Sequence, residues 1–492
     1  MRQLSRPALA LIVASITTAC GLKGEKGDPG AIGLTGAAGS VGPAGANGLS
    51  IQIQTTNEPS GVNCPVGGTK VEYGLDSNGN GILDSSEINA ALTRYVCNGA
   101  TGATGSQGAV GPRGPAGLGY DAVIKADGTG DYPNIPSAIA AGAKSILLKA
   151  GTHIISTSIA MGSGTRIEGE NASAVIIQAP SGTAGQSMVN GTSNNVLARV
   201  TLQGSNLTPG YLVSFSGTGN EIAGVVLSTP NAAISSGAQT VIHDSSITTT
   251  STLSSTLQVG AGSRLWGNQV TSNQDGITTN SADVVLTSNT VTSTAKTGIG
   301  ISCSTRCLAS SNIVTGFSTG ISASGTNIAV STNDVSGTGS VGIDAFGANG
   351  FNRVVGNHVH DCTGTGIRVA GAKLVIGNNT VFNASGTCVL GTSGGLTSSA
   401  IASNVVQTCG GSGFSLPSGF TSSSLTGNIA ALAASSAFVV QATNSSVSGN
   451  VGGPGNDVFD FTSSSSGSSV TGNAGTHLGT CVGCKEAGNG WN

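Results

Sequence analysis

The sequence predicts an all-β solenoid for its last three quarters: one chain wound into a coil whose short parallel strands stack turn upon turn. Two repeating columns and a composition carry that prediction. An Asn followed by a short aliphatic strand returns at Asn268, Asn289, Asn312, Asn333, Asn357, Asn379, Asn404, Asn428, Asn450 and Asn473, at intervals of 21 to 25 residues. A second column follows within each unit at Ile277, Ile299, Ile321, Ile343, Ile367, Val389, Phe414, Phe438 and Phe459. Repeats of this period mark solenoids. Stretches such as VVLTSNTV (Val284 to Val291) alternate with period two and lack helical spacing. With 79 glycines in 492 residues and only 8% charged side chains, leucine-rich and helical repeats are excluded.

Each column has a physical reason. A turn of about 22 residues holds two or three short strands that pair with the next turn about 4.8 Å away. A stacked Ile column buries aliphatic surface continuously, at roughly 25 cal/mol per Å². Asn tolerates a left-handed corner, and its amide can bond the Asn one turn above. Gly276, Gly298, Gly320, Gly342 and Gly366 precede the aliphatic position and are expected to permit a tight corner.

The segments before the coil follow in order. Residues 1–20 read as an export signal: Arg2 and Arg6 at the start, an apolar run from Leu9 to Val13, then small residues before Cys20. Small residues directly ahead of a cysteine resemble the bacterial lipoprotein signal, which implies that Cys20 becomes a lipidated N-terminus. Thr17 departs from that family's preference for Leu, and the alternative is an ordinary cleaved signal. Localisation is therefore expected at the bacterial cell envelope, lipid-anchored and surface-exposed.

Residues 21–48 carry Gly at every third position from Gly21 to Gly48, and residues 99–119 repeat the pattern from Gly99 to Gly117. Only Gly fits at the axis of a collagen triple helix, so this spacing predicts a collagen-like stalk and a homotrimer. KGEKGDPG and GPRGPAG place Lys, Glu, Pro and Arg as collagens do. The alternative is a flexible Gly-rich tether.

Between these runs, residues 49–98 form a small module. DSNGNGILDSSE fits a twelve-residue calcium loop, with Asp76, Asn78 and Asn80 at positions 1, 3 and 5. Gly81 supplies the turn, Ile82 its carbonyl, and Asp84 and Glu87 the last two ligands. The loop resembles those of dockerin-like and other extracellular modules more than a paired EF-hand. Ile88 to Val96 reads as helical. The expected cofactor is a structural Ca²⁺, and the alternative is an Asx-rich turn without metal.

Export permits disulfides among the ten cysteines. The preferred pairs are Cys64–Cys97, Cys303–Cys307 and Cys481–Cys484, with Cys362, Cys388 and Cys409 left open. Cys481 and Cys484 have neither the second Cys pair nor the histidines of a zinc site, nor a thioredoxin-like surrounding.

Residues 120–480 hold the coil. Ala126 to Ile154 reads as a Gly/Asp turn, a short apolar helix and a buried strand. This stretch and the Asn/aliphatic repeats resemble the pectin-lyase-like superfamily of pectinesterases, lyases and tailspikes. The resemblance covers about Tyr120 to Asp460 and implies a right-handed, single-stranded parallel β-helix with an N-terminal cap. Residues 481–492 form a Cys-x-x-Cys tail whose Trp491 is expected to be disordered.

That superfamily includes enzymes and adhesins, so the fold does not name the function. The motifs of polygalacturonases, pectinesterases and pectate lyases are missing, which counts against catalysis. One concentration of reactive side chains remains: Asp334, Asp344, Arg353, His358, His360, Asp361 and Arg368. Counted along the repeat, Asp334 and His358 share one column, and Asp344 and Arg368 another. As a site, His358 or His360 acts as base, Arg368 or Arg353 holds a carboxylate, and Asp361 orients a histidine. As plain surface, they are solvated charges on one outer face. Trp266 reads as a wall residue rather than a sugar platform. A net charge of −3 gives no footprint for nucleic acid. The leading expectation is a non-catalytic surface lipoprotein that is structural, adhesive or polysaccharide-binding. The alternatives are a polysaccharide lyase or hydrolase and a phage-tailspike-like binder.

Overall fold

A computed structural model describes residues 50–99, 119–179, 187–204, 211–250, 255–347, 350–453, 458–462, 465–479 and 482–491. The expected export segment with Cys20, the Gly-X-Y run 21–48 and most of the run 99–119 lie outside them, as does Cys481 of the expected Cys481–Cys484 pair. The chain divides into two units, residues 1–114 and 115–492.

In the first unit, strands Ser50–Glu58, Gly68–Asp76 and Arg94–Cys97 form an antiparallel sheet, closed by a Cys64–Cys97 disulfide. The helix expected over Ile88 to Val96 does not form. Only Ala90–Leu92 makes a 3₁₀ turn, and Arg94 to Cys97 pair with Gly68 to Val71 instead. The β-formers Tyr95 and Val96 and the tether at Cys97 outweigh the helical pattern.

The second unit is a parallel β-helix of about 14 turns with almost no helix. Each turn lays down three short strands. A coil such as Arg264–Trp266, Gln269–Thr271 and Ile277–Thr279 contributes one strand each to walls one, two and three. The second residue of most wall-one and wall-two strands points inward, giving in-register buried columns such as Leu265–Leu286 and Val270–Val291. The helix Ile135–Ala140, capped by Asn134, adds Ile135 and Ala138 to the same core.

The Asn column is a continuous buried ladder. From Asn268 to Asn473 each Nδ2 donates to the Oδ1 of the next Asn at 2.9 to 3.1 Å, ending on Asn489. The left-handed corner belongs to the residue before each Asn, not to the Asn. Gly267, Ser288, Ser311, Thr332, Gly356 and Asn378 all have φ between 53° and 69°. That bend turns the chain from wall one to wall two and leaves the Asn amide free to face along the coil.

Two further expectations are corrected. Ile301, not Ile299, continues the aliphatic column: it pairs with Ile277 and Ile321 and is fully buried. The associated glycine is Gly300, and these glycines serve close packing rather than a turn. A Cβ on Gly276, Gly300, Gly320, Gly342 or Gly366 would stand 2.3 to 2.5 Å from a wall-two Val Cγ1. The column closes with Phe414, Phe438 and Phe459 stacked at 5.0 and 4.4 Å. Cys303–Cys307 and Cys388–Cys409 are disulfides, and Cys362 is a buried thiol. Trp491, expected to be disordered, joins the coil instead: Lys485–Ala487 and Gly490–Trp491 pair with the preceding turn.

Candidate functional site

The reactive residues that stand close in sequence are distributed over three walls. Arg353 is exposed on wall one, away from the histidines. Asp344 and Arg368 lie opposite each other on wall three. Asp334, His358, His360 and Asp361 gather on wall two.

On wall three, Arg368 is committed to its neighbour. Its Nε donates to Asp344 Oδ1 at 2.8 Å, its Nη2 donates to Oδ2, and its guanidinium lies 5.1 Å from the Phe346 ring centre. The hydrogen bonds to Asp344 hold the guanidinium above its usual range. Arg368 is thus neutralised by a buried carboxylate and does not present a free cation.

On wall two, strand His358–Cys362 alternates outward, inward, outward and then breaks step. Asp361 adopts φ 54°, so it faces solvent beside His360 while Cys362 returns to the core. Asp361 Oδ2 accepts from His360 Nδ1 at 2.7 Å, and its Oδ1 accepts from Asn383 Nδ2 at 2.6 Å. Those two hydrogen bonds hold the Asp361 carboxyl below the usual carboxylate range. From the preceding coil, Asp334 Oδ1 lies 3.0 Å from His360 Nε2 and 3.5 Å from His358 Nδ1. The two imidazoles sit 4.5 Å apart, tilted by 33°. Of the expected roles, Asp361 as an orienter of His360 has the geometry it needs.

A second cluster, on wall one, escaped the sequence reading. His243 Nδ1 lies 2.8 Å from Asp244 Oδ2, and its Nε2 lies 3.3 Å from Glu221 Oε1 on the preceding coil. Burial pulls the imidazole down, but the two carboxylates together outweigh it and hold His243 above its usual value. Trp266 stacks on it with ring centres 4.7 Å apart and planes 9° from parallel. The indole is 38% exposed, and the next coil offers only Thr287 at that register position. Further up the same column stand Ala223, Ala198 and then Glu168. Glu168 is buried and accepts from Tyr120 Oη at 3.1 Å and from Arg166 Nε at 2.6 Å, and it pairs with Arg199. Arg199 and Tyr120 also line a recess of about 540 Å³ with Lys149 and Glu170. One signal was available in the sequence. His-Asp occurs twice, at His243 and His360, each time with the Asp at positive φ and a carboxylate one coil earlier.

In the first unit, Asp76 accepts from the backbone N–H groups of Gly79, Asn80 and Gly81, and Glu87 from those of Ser77, Asn78 and Asp84. Asn78 and Asn80 both donate through Nδ2 to Asp84 Oδ2, at 2.7 and 2.9 Å. The chain is wrapped round as a cation loop requires. The two amides would have to rotate to present oxygen.

Comparison with known families matches residues 267–400 to a model described as "Right handed beta helix region". Residues 50–97 match a "Domain of unknown function (DUF7151)". No curated protein is significantly similar in sequence. Among solved structures, the chain is similar to the mannuronan C-5 epimerase AlgE6 A-module of Azotobacter vinelandii, with 14% identity over 73% of this chain and 93% of that one, at a TM-score of 0.37. It is also similar to a tailspike protein of E. coli bacteriophage HK620 in complex with pentasaccharide, with 12% identity over 65% and 73% and a TM-score of 0.47. A third is an alpha-1,3-glucanase from Streptomyces thermodiastaticus, with 12% identity over 73% and 65% and a TM-score of 0.37. At such scores the likeness carries no argument about function.

Proposed function

We propose that this chain is a cell-surface protein whose β-helix binds polysaccharide along the outer face of wall one. The observation that carries the reading is the exposed Trp266 ring, backed by His243 on one face and overhanging the short Thr287 on the other. A sugar ring presents apolar C–H groups on its faces and hydroxyls round its rim. An indole accepts the face, and nearby charged groups accept the rim. Glu221 and Asp244 flank the His243 ring that backs the indole, and Arg264 stands two residues before Trp266 on the same strand. The Ala223 and Ala198 positions form a floor of small side chains leading to Glu168, roughly 19 Å from Trp266 at about 4.8 Å per coil. That length suits several sugar units in line.

The rest of the proposal concerns display. Lipidated Cys20 holds the protein at the bacterial envelope, and the Gly-X-Y runs assemble a homotrimeric stalk. A Ca²⁺ ion held by Asp76, Asn78, Asn80, Asp84, Glu87 and the Ile82 carbonyl stiffens the intervening module. What supports this is the sequence spacing and, for calcium, the wrapped loop in which Asn78 and Asn80 meet Asp84. A glycan array probed with the full chain tests the binding. Retention of acidic or neutral polysaccharide, lost in Trp266→Ala, is expected, and equal retention by that variant would refute the wall-one assignment.

One observation favours a second reading, a polysaccharide lyase or hydrolase: His360 is oriented by Asp361 as a general base is oriented by its carboxylate. Release of unsaturated uronate or reducing ends by the full chain, abolished in His360→Ala, would establish it.

A further inference from the structure

We propose that Asp334, His358 and His360 form a binding site for a divalent transition-metal ion on the outer face of wall two. Among the described residues, this is the trio of His, Cys, Asp or Glu whose ligand atoms come together, all within 4.8 Å of one another. Both spacings from Asp334 suit one ion. Two ligand atoms each about 2.1 Å from a metal lie about 3.0 Å apart at a right angle and about 3.4 Å apart at the tetrahedral angle. Asp334 Oδ1 stands 3.0 Å from His360 Nε2 and 3.5 Å from His358 Nδ1.

The hydrogen bonds leave a place for a positive charge there. His360 Nδ1 is spent on the anionic Asp361, so in the neutral ring its Nε2 carries a lone pair. That lone pair faces the lone pairs of an Asp334 oxygen at 3.0 Å, which is repulsive unless a positive charge lies between them. A proton on Nε2 is one such charge, and a metal ion is the other. The surroundings favour the metal. A ligating histidine ordinarily donates its far nitrogen to a carboxylate, which fixes the tautomer and raises its basicity. Asp361 does this for His360 and is itself held by Asn383. The left-handed bend at Asp361, which recurs at Gly337, Asn383, Thr408 and Leu432 in neighbouring coils, puts that carboxylate outside, beside the ring.

The donor set defines the class of ion. Two imidazole nitrogens and one carboxylate suit zinc, copper, iron or nickel, whereas Ca²⁺ and Mg²⁺ take sets of oxygens. Asp334 and His358 are about half exposed, so the ion would enter from solvent and keep open positions for water or other oxygen ligands. The site is independent of the wall-one binding face. It also competes with the enzymatic reading, because a metal on His360 Nε2 occupies the lone pair that a general base would use.

Zn²⁺ is the probe. Titration of the metal-stripped full chain is expected to show one Zn²⁺ bound per chain through wall two at pH 7.5. His358→Ala and His360→Ala should each weaken uptake more than tenfold. Asp361→Asn, which leaves all three ligands in place, should weaken it about 10–100-fold. His243→Ala, on wall one, should leave it unchanged. Co²⁺ in place of Zn²⁺ should give visible absorption bands that vanish in His360→Ala. All substitutions lie on the outer face, so the far-UV spectrum should keep its β-sheet signal. No uptake by the wild-type chain, or uptake indifferent to both histidine variants, overturns the assignment. Uptake of Ca²⁺ but not Zn²⁺ at these residues overturns it as well.

Discussion

Asn333 presents both its backbone N–H and its side-chain Nδ2 to a single oxygen, Oδ1 of Asn357, at 3.0 and 2.9 Å. Asn357 repeats the gesture towards Asn379, and its Nδ2 also donates back to the Val330 carbonyl. The amide thus bridges three consecutive coils from a position sealed from water. In a solenoid, where each turn touches only its neighbours, such a bridge sets the coupling between turns.

Asn357→Ala should therefore lower unfolding stability by roughly 2–4 kcal/mol, since it strands several buried polar groups at about 1–3 kcal/mol each. Thr332→Gly, at the left-handed corner just before Asn333, should be neutral or stabilising by up to about 1 kcal/mol. Guanidinium unfolding of the two variants checks the contrast. Equal behaviour would show that the corner, not the amide, holds the coils.

The wall-three glycines make a different demand. Gly342 lacks a left-handed φ, yet a Cβ there would stand 2.4 Å from Val359 Cγ1 and 2.6 Å from the Gly366 carbonyl oxygen. Gly342→Ala should cost about 1–3 kcal/mol by overpacking. Shortening the neighbour in Gly342→Ala/Val359→Ala should return part of it. At Gly356, φ is 69° and the nearest atom to an added Cβ is 3.6 Å away, so Ala should cost about 1 kcal/mol through the backbone alone. Thermal unfolding separates the cases, because only the first is rescued by a smaller neighbour.

His243 supplies a pH dependence whose sign is fixed. Its folded pKa lies above the unfolded value because Asp244 and Glu221 together outweigh burial. The contribution is therefore fully present below about pH 6.5, the unfolded value, and is lost as pH rises through the folded one. The melting temperature of wild type minus that of Glu221→Gln should be greatest near pH 5.5 and shrink towards pH 8.5. An imidazole NMR titration of His243 should show a midpoint above 6.5, as a rough reference value for an unperturbed ring. A difference that grows with pH would contradict this reading.

Arg368 and Asp344 test whether wall three is structural. Arg368→Ala leaves a carboxylate only 10% exposed without its partner. The loss should be roughly 2–3 kcal/mol, below the range for fully buried pairs because the arginine itself is a third exposed. Removing both charges should recover most of it. If polysaccharide binding fell in the double variant while stability recovered, the pair would be a ligand site instead.

Much of this architecture was legible in the sequence because a solenoid repeats its physics. A buried amide that bonds its own kind must recur at one period, and so must the residues that seal it. Ile299 was mistaken for Ile301 because both follow a glycine, and only pairing with Ile277 and Ile321 tells them apart. The glycine column was visible, but its cause was not, since a Val methyl one strand away leaves no mark in local sequence. The sites were less legible. Asp334 and His358 could be aligned by counting, but wall membership separates Arg353 and Arg368 from the histidines, and counting from one column does not reveal walls. His243 and Glu221 stayed hidden because they precede the first Asn of the ladder from which the register was counted.

The wall-one face can be interrogated directly, because the chain has only two tryptophans. In Trp491→Phe, all indole fluorescence comes from Trp266. Titration of that full-length variant with array-selected oligosaccharides is predicted to change the emission saturably, at the concentrations that half-fill the site by calorimetry. Binding that leaves the Trp266 emission untouched, or no binding to any polysaccharide tested, would contradict the account.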